Sequence, residues 1–185
     1  MDGAFMTLKN NYQSFGTITK LLHLIISILF IVQFVLVYWR DYVSNANPLN
    51  MQLIMLHKSF GFTLLFLGLF FIIWRLFNVK PLYPLHMAKW EKFLANTTHY
   101  LLYLTILIMP LTGVMMSFLS GRGIKWFGLA VPNYFNIDKE LAGLFYSGHV
   151  WLSYAIIGLV ILHVAGALKH YYLSSDNVMQ RMWKF

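Results

Sequence analysis

Four long stretches without a charged side chain constrain this chain more than any other feature. Between Lys20 and Arg40 lie 19 uncharged residues, Leu21–Trp39, enough helix to cross roughly 28 Å. Sixteen more separate Lys58 from Arg75, and the apolar pattern reaches back through Leu53–His57. Phe93–Gly121 carries no charge, and Leu141–Leu168 runs clean for 28 residues. A bilayer core asks for about 20 apolar residues per helix, so four spans are expected, at about 21–39, 53–75, 95–118 and 141–170. A polar segment, 1–20, precedes this membrane domain (21–172) and a short tail, 173–185, follows it. Asn96, Thr97 and Thr98 read as the entry to the third helix, and Pro110 inside it predicts a kink. No strand-like alternation and no internal repeat is visible.

Composition excludes the alternatives. Hydrophobic residues make up 59% of the chain and charged ones 11%, whereas a soluble domain runs near 25% charged. The 18% aromatic content opposes disorder. The net charge of +8 is a topology signal. Nine Lys/Arg residues (Lys9, Lys20, Arg75, Lys80, Lys89, Lys92, Lys169, Arg181, Lys184) fall on the side of both termini and the second loop. Five (Arg40, Lys58, Arg122, Lys125, Lys139) fall on the other. The positive-inside rule then puts both termini in the cytoplasm. Nucleic acid is not an expected partner, because no soluble basic surface exists to bind it. Trp39, Trp74, Trp90 and Trp126 fall near predicted interfaces, as an aromatic belt would.

Cysteine is absent while seven histidines accompany only six acids. That removes disulfides, thiolate metal sites and iron–sulfur clusters, and leaves imidazole as the prominent metal ligand. Ionisable residues inside spans are costly and point to function. His149 and His163 lie fourteen residues apart on the fourth span, on nearly one face and about 21 Å apart in depth. His57 matches the depth of His149 on the outer side. For His163 the inner partner is His23 or His99; the depth arithmetic lies nearer His99 and leaves both open. Paired imidazoles at two depths suit two haems in a helix bundle. They do not suit zinc, which gathers three or four ligands at one point. Gly61, four residues after His57, and Gly166, three after His163, would let a porphyrin approach the backbone, although packing between helices also uses such glycines.

These residues resemble the bacterial cytochrome b561 family, and within it the superoxide oxidase branch. The likeness runs from Lys20 to Met182, through "LLHLII" around His23, "HKSFGFTLLFLGLFFIIWRLFN" from His57 and "HYLLYLTILIMPLTGVMMS" from His99. It continues through "FGLAVPNYF" at 127–135, His149, and "LHVAGALKHYY" from Leu162. The resemblance implies an all-α membrane protein, a four-transmembrane-helix bundle with two b-type haems in its core, in the bacterial inner membrane. It implies His57 with His149 on the outer haem iron and His23 with His163 on the inner. His99 and His170 would then lie near propionates or quinone, and Arg75 near a propionate. His86 carries no metal pattern and reads as solvated.

The implied activity passes single electrons from superoxide to ubiquinone, giving dioxygen and ubiquinol. Lys58, Arg122 and Lys125, on the outer side, are the residues expected to steer the superoxide anion, against the counter-charges of Asp41, Asp138 and Glu140. Trp126, Trp151 and Tyr172 are aromatic candidates for lining a quinone pocket. Two other readings stand beside this one. In the first, the chain is a haem-bearing anchor relaying electrons between quinol and a partner dehydrogenase or reductase. In the second, it is a cofactor-free structural or transport protein whose histidines bond across helices.

Overall fold

The computed structural model describes residues 7–174 and 176–183; Lys184, counted above with the inner charges, lies outside them. Four long helices dominate: α1 (Thr17–Tyr42), α2 (Pro48–Leu76), α3 (Lys89–Leu119) and α4 (Lys139–Tyr172). All four are long and apolar enough to cross a membrane. Between α3 and α4 lies a hairpin of β1 (Ile124–Trp126) and β2 (Leu129–Val131), and a short α5 (Gln180–Trp183) ends the described chain.

Each helix outruns its uncharged stretch because its ends can sit in the headgroup region, where charge is tolerated. Local chemistry sets those ends. Asn47 caps α2, its Oδ1 accepting from the Leu49 amide at 2.9 Å, with Pro48 at the first helical position. Asp138 caps α4 in the same way, accepting from the Leu141 amide at 2.9 Å. The third helix begins earlier than Asn96–Thr98 would place it. Its start is at Lys89, where the Glu91 carboxylate accepts from the Ala88 amide at 3.2 Å. An acid in the first turn satisfies a free amide and complements the helix dipole, so the three polar residues fall inside the helix instead of opening it.

The hairpin is the second departure. Strands of three residues are too short to show alternation, which is why the sequence pattern misses them. Its two-residue turn, Phe127 (φ 47°) and Gly128 (φ 96°), has positive φ at both positions, the geometry that suits the twist of a tight hairpin. Lys125 pairs with Ala130 and Trp126 with Leu129. Phe127 is held in this unfavourable conformation by its neighbours. Its amide donates to Ser59 Oγ at 3.1 Å and its ring packs edge-on against Phe60.

α1, α2 and α3 share a core of Leu22, Ile26, Leu64, Phe71 and Ile106. At the α2–α3 crossing, a Cβ on Gly68 would stand 3.0 Å from the Ile106 carbonyl oxygen. That carbonyl is the one Pro110 deprives of its helical partner, four residues on. The bare oxygen and the missing side chain let the two backbones meet. α4 packs principally on α3, and only 6% of its most apolar 18-residue stretch is buried, against 22% for each of the other three. Its histidine face therefore looks toward α1 and α2 without direct helix-to-helix packing.

One end of the bundle gathers the described N-terminal segment, the α2–α3 loop and the C-terminal segment. Asn10 is buried there; its Oδ1 accepts from the Gly16 amide at 2.9 Å and Thr19 Oγ1 at 2.7 Å, and its Nδ2 donates to the Val79 carbonyl at 3.0 Å. The Leu82 amide donates to Tyr12 O, and the Arg181 guanidinium to Leu82 O. Trp74 belongs to the same network, its indole N–H donating inward to Thr19 Oγ1 at 3.0 Å and not outward to an interface.

Candidate redox centre

The histidines of the spans meet in two layers. His57 of α2 faces His149 of α4, ring centres 6.2 Å apart and nearly perpendicular. Toward the other end, His23 of α1 and His163 of α4 stand 6.1 Å apart. His99 of α3 is in that second layer too, 5.1 Å from His163. Among the described residues, no three His or carboxylate side chains converge on one point where an ion could sit.

The first layer borders a narrow cleft of about 30 Å3, lined by His57, Lys58, Gly61, Gly113, Ile124 and His149 among others. On its α1 side the buried Gln33 donates through Nε2 to the His57 carbonyl at 3.0 Å. A Cβ on Gly61 would stand 3.2 Å from that same Nε2, so Gly61 makes room for Gln33. Gln33 Oε1 and His57 Nδ1 are buried and have no hydrogen-bond partner among the described residues. On the α3 side, Thr112 Oγ1 lies 2.9 Å from His149 Nδ1, and a Cβ on Gly113 would stand 3.1 Å from His149 Cε1. Sequence reasoning missed Gln33, Thr112 and Gly113, because only the crossing of helices brings them to the histidines.

Lys58 and the hairpin close this layer over. Lys58 Nζ donates to the Gly123 carbonyl at 3.0 Å, with Arg122 near enough to act on it electrostatically. Ser59 Oγ donates to the Lys125 carbonyl at 3.0 Å, and the Trp126 indole donates to Thr63 Oγ1 at 3.0 Å. Lys125 thus contributes its backbone here, while its side chain and that of Arg122 are exposed.

In the second layer, His99 Nδ1 donates to the Ala95 carbonyl at 2.6 Å, which leaves its Nε2 lone pair bare. Gly166 has open space where a Cβ would point. Arg75 is half-buried and donates to the Asn78 carbonyl at 3.0 Å. Near it Lys80, Tyr83 and Asn96 bond one another; burial, then the Arg75 charge, holds the Lys80 ammonium below its ordinary pKa. His170 is buried and pairs with Asp176 at 2.7 Å, beside the Lys169–Glu91 ion pair that ties α4 to the start of α3. His86 is exposed.

Two imidazoles bound to one metal from opposite sides stand about 6 Å apart between ring centres, given a metal–nitrogen bond near 2 Å on each side. The 6.2 and 6.1 Å pairs fit that requirement. Side chains of two different helices form each pair, in the part of the bundle where α4 lacks close packing. An orphaned buried imidazole nitrogen at the cleft also agrees with a site shaped for a further group. The residues present therefore fit two haems.

Comparison with known proteins gives the family. Residues 14–185 match the family model described as prokaryotic cytochrome b561. The chain is 27% identical to "Cytochrome b561 homolog 2" of Escherichia coli (strain K12) over 184 residues, covering 96% of this chain and 95% of that protein. It is 32% identical to "Cytochrome b561 homolog 1" of the same organism over 95 residues, 50% of this chain and 53% of that one. It is 27% identical to the "Probable superoxide oxidase CybB" of Yersinia pestis over 165 residues, 87% of this chain and 90% of that protein. With four apolar helices of spanning length and a family match over nearly the whole chain, this multi-pass membrane protein belongs to the prokaryotic cytochrome b561 family of electron carriers.

Proposed function

We propose that this protein is a di-haem superoxide:quinone oxidoreductase of the bacterial inner membrane, with both termini in the cytoplasm. His57 and His149 hold the outer haem b; His23 and His163 hold the inner one. The observation that carries this reading is the pair of imidazole couples at 6.2 and 6.1 Å, in two layers of one bundle. His99, at 5.1 Å from His163, is too near for ligation across a shared iron, which supports His23 as the inner ligand. The nine-to-five distribution of Lys and Arg supports the orientation.

Bound haem supplies one-electron carriers, matching a donor that gives one electron at a time and a quinone that takes two. The chain's own residues do the rest. Lys58 and Arg122 beside the first layer, with Lys125 on the hairpin, attract the superoxide anion to the outer pair. Gln33 and Gly61 fit α1 closely to α2 beside His57, and Gly113 lets the His149 ring lie against α3. In this reading Arg75, and the His99 and His170 imidazoles at the other end, are the residues that meet propionates or a quinone. The lipid bilayer supplies ubiquinone, the electron acceptor. The superoxide step is supported by the likeness to the Yersinia pestis protein.

A relay role is the second reading, favoured because the relative covering 96% of this chain is described only as a cytochrome b561 homologue. In it the haems pass electrons between quinol and a dehydrogenase or reductase partner. Purified protein alone, given a superoxide source and a soluble ubiquinone analogue, separates the two. Quinol formation without a partner supports the oxidase; reducible haem with no quinol formed supports the relay.

A further inference from the structure

Thr112 lies beside His149 with no assigned part in the site, and its hydrogen bonds are directional. Its hydroxyl donates to the Met109 carbonyl three residues back, at 2.7 Å. A hydroxyl has a single proton, so toward His149 Nδ1, 2.9 Å away, Thr112 can only accept. The proton of the neutral ring must then sit on Nδ1, and Nε2 is left with a bare lone pair. The next residue cooperates: with no side chain, Gly113 lets the ring lie against α3, where a Cβ would reach within 3.1 Å of Cε1. His57, across the layer, has no such brace, since its Nδ1 is buried without a partner among the described residues. The two histidines of this layer are therefore unequal.

We infer that Thr112 is a positioning residue for the outer centre: it fixes His149 as the Nδ1–H tautomer and, by accepting that proton's hydrogen bond, strengthens Nε2 as a ligand. The inference rests on the di-haem reading above. An imidazole that donates from Nδ1 is more basic at Nε2, favours the more highly charged oxidised iron, and lowers the reduction potential of the haem it holds. Thr112 thereby sets the outer potential below the value that an unbraced histidine pair would give.

The test is potentiometric titration of the purified di-haem protein with low-temperature EPR of its low-spin ferric signals, for wild type, Thr112→Val and Thr112→Ser. Thr112→Val keeps the volume and removes the acceptor; Thr112→Ser restores it. The expected result is an upward shift of one midpoint potential in Thr112→Val, with a changed EPR signal for that haem alone and wild-type behaviour in Thr112→Ser. The haem that shifts should be the one lost in His149→Ala. Unmoved potentials in Thr112→Val, or equal movement of both haems, overturn the inference. If Thr112→Val instead loses the outer haem, full retention in Thr112→Ser supports the hydroxyl's role, and loss in both variants overturns it in favour of simple packing. A wild-type protein that carries no haem would fail the di-haem reading itself, a separate result.

Discussion

His99 approaches the His163 ring to 5.1 Å, a full ångström nearer than His23 at 6.1 Å. Proximity here argues against partnership, because an iron between two imidazoles needs the longer spacing. The His99 ring is also tied to its own helix through the Ala95 carbonyl. We expect His23→Ala to remove one of two haems while His99→Ala retains both, measured as pyridine haemochrome per protein. The reverse pattern would assign His99 as the ligand.

At the other layer the close approach of α3 to His149 gives a sharper test than removing the ligand. Gly113→Leu should push the ring from its place, given the 3.1 Å contact already predicted for a bare Cβ, and cost one haem per protein. Gly158→Ala on α4, where a Cβ meets nothing within 4 Å, should leave the haem content and spectrum unchanged. Equal haem content in both variants would refute the pairing of His57 with His149.

Charge beside the His57 layer should be visible in kinetics. Lys58→Glu is expected to slow superoxide consumption by roughly tenfold at low salt and to weaken its dependence on ionic strength. Because Lys58 also fastens the hairpin through the Gly123 carbonyl, the exposed Arg122→Glu is the cleaner companion and should act in the same direction. Rates unchanged in both variants at low salt would remove steering from the mechanism.

Stability should register the α2–α3 crossing. A methyl group at Gly68 would press on the Ile106 carbonyl at 3.0 Å, and neither backbone can yield easily inside a helix pair. Gly68→Ala should cost about 1–3 kcal/mol, the usual range for overpacking, seen as a lower Tm in detergent. A Tm equal to wild type would mean that the crossing relaxes without loss.

The buried Asn10 gives a prediction at the opposite end. Its side chain bonds the Gly16 amide, the Thr19 hydroxyl and the Val79 carbonyl, so Asn10→Ala leaves several polar groups unsatisfied at once. Each such group costs about 1–3 kcal/mol when buried. Limited proteolysis should then cut the segment before α1 faster than in wild type; unchanged cleavage would show that the segment is held by something else.

Much of the architecture was legible in the chain because hydrophobicity is a local property. A helix in lipid must satisfy its backbone internally, so runs such as Leu21–Trp39 and Leu141–Leu168 mark spans with no reference to the rest of the fold. Depth is local as well. Counting residues along each helix puts His57 and His149 at one level, and their rings are 6.2 Å apart in the fold. Helix ends were less legible: the start of α3 depends on Glu91 reaching the Ala88 amide, and the three-residue strands are too short for any period to show.

What one chain of residues could not decide was which side chains meet across helices. Residue counting carries depth but not rotation or tilt, so it could not separate His23 from His99, which only differ by an ångström of lateral approach to His163. For the same reason it passed over Thr112, Gly113 and Gln33, ordinary residues of apolar helices until the packing of α3 and α1 sets them against His149 and His57. The sequence by itself determined a four-span membrane protein with imidazoles at two depths. The tertiary structure decided the contacts around each imidazole, because those depend on how whole helices rotate and cross, and the Pro110–Gly68 junction that governs one such crossing is a property of two helices together.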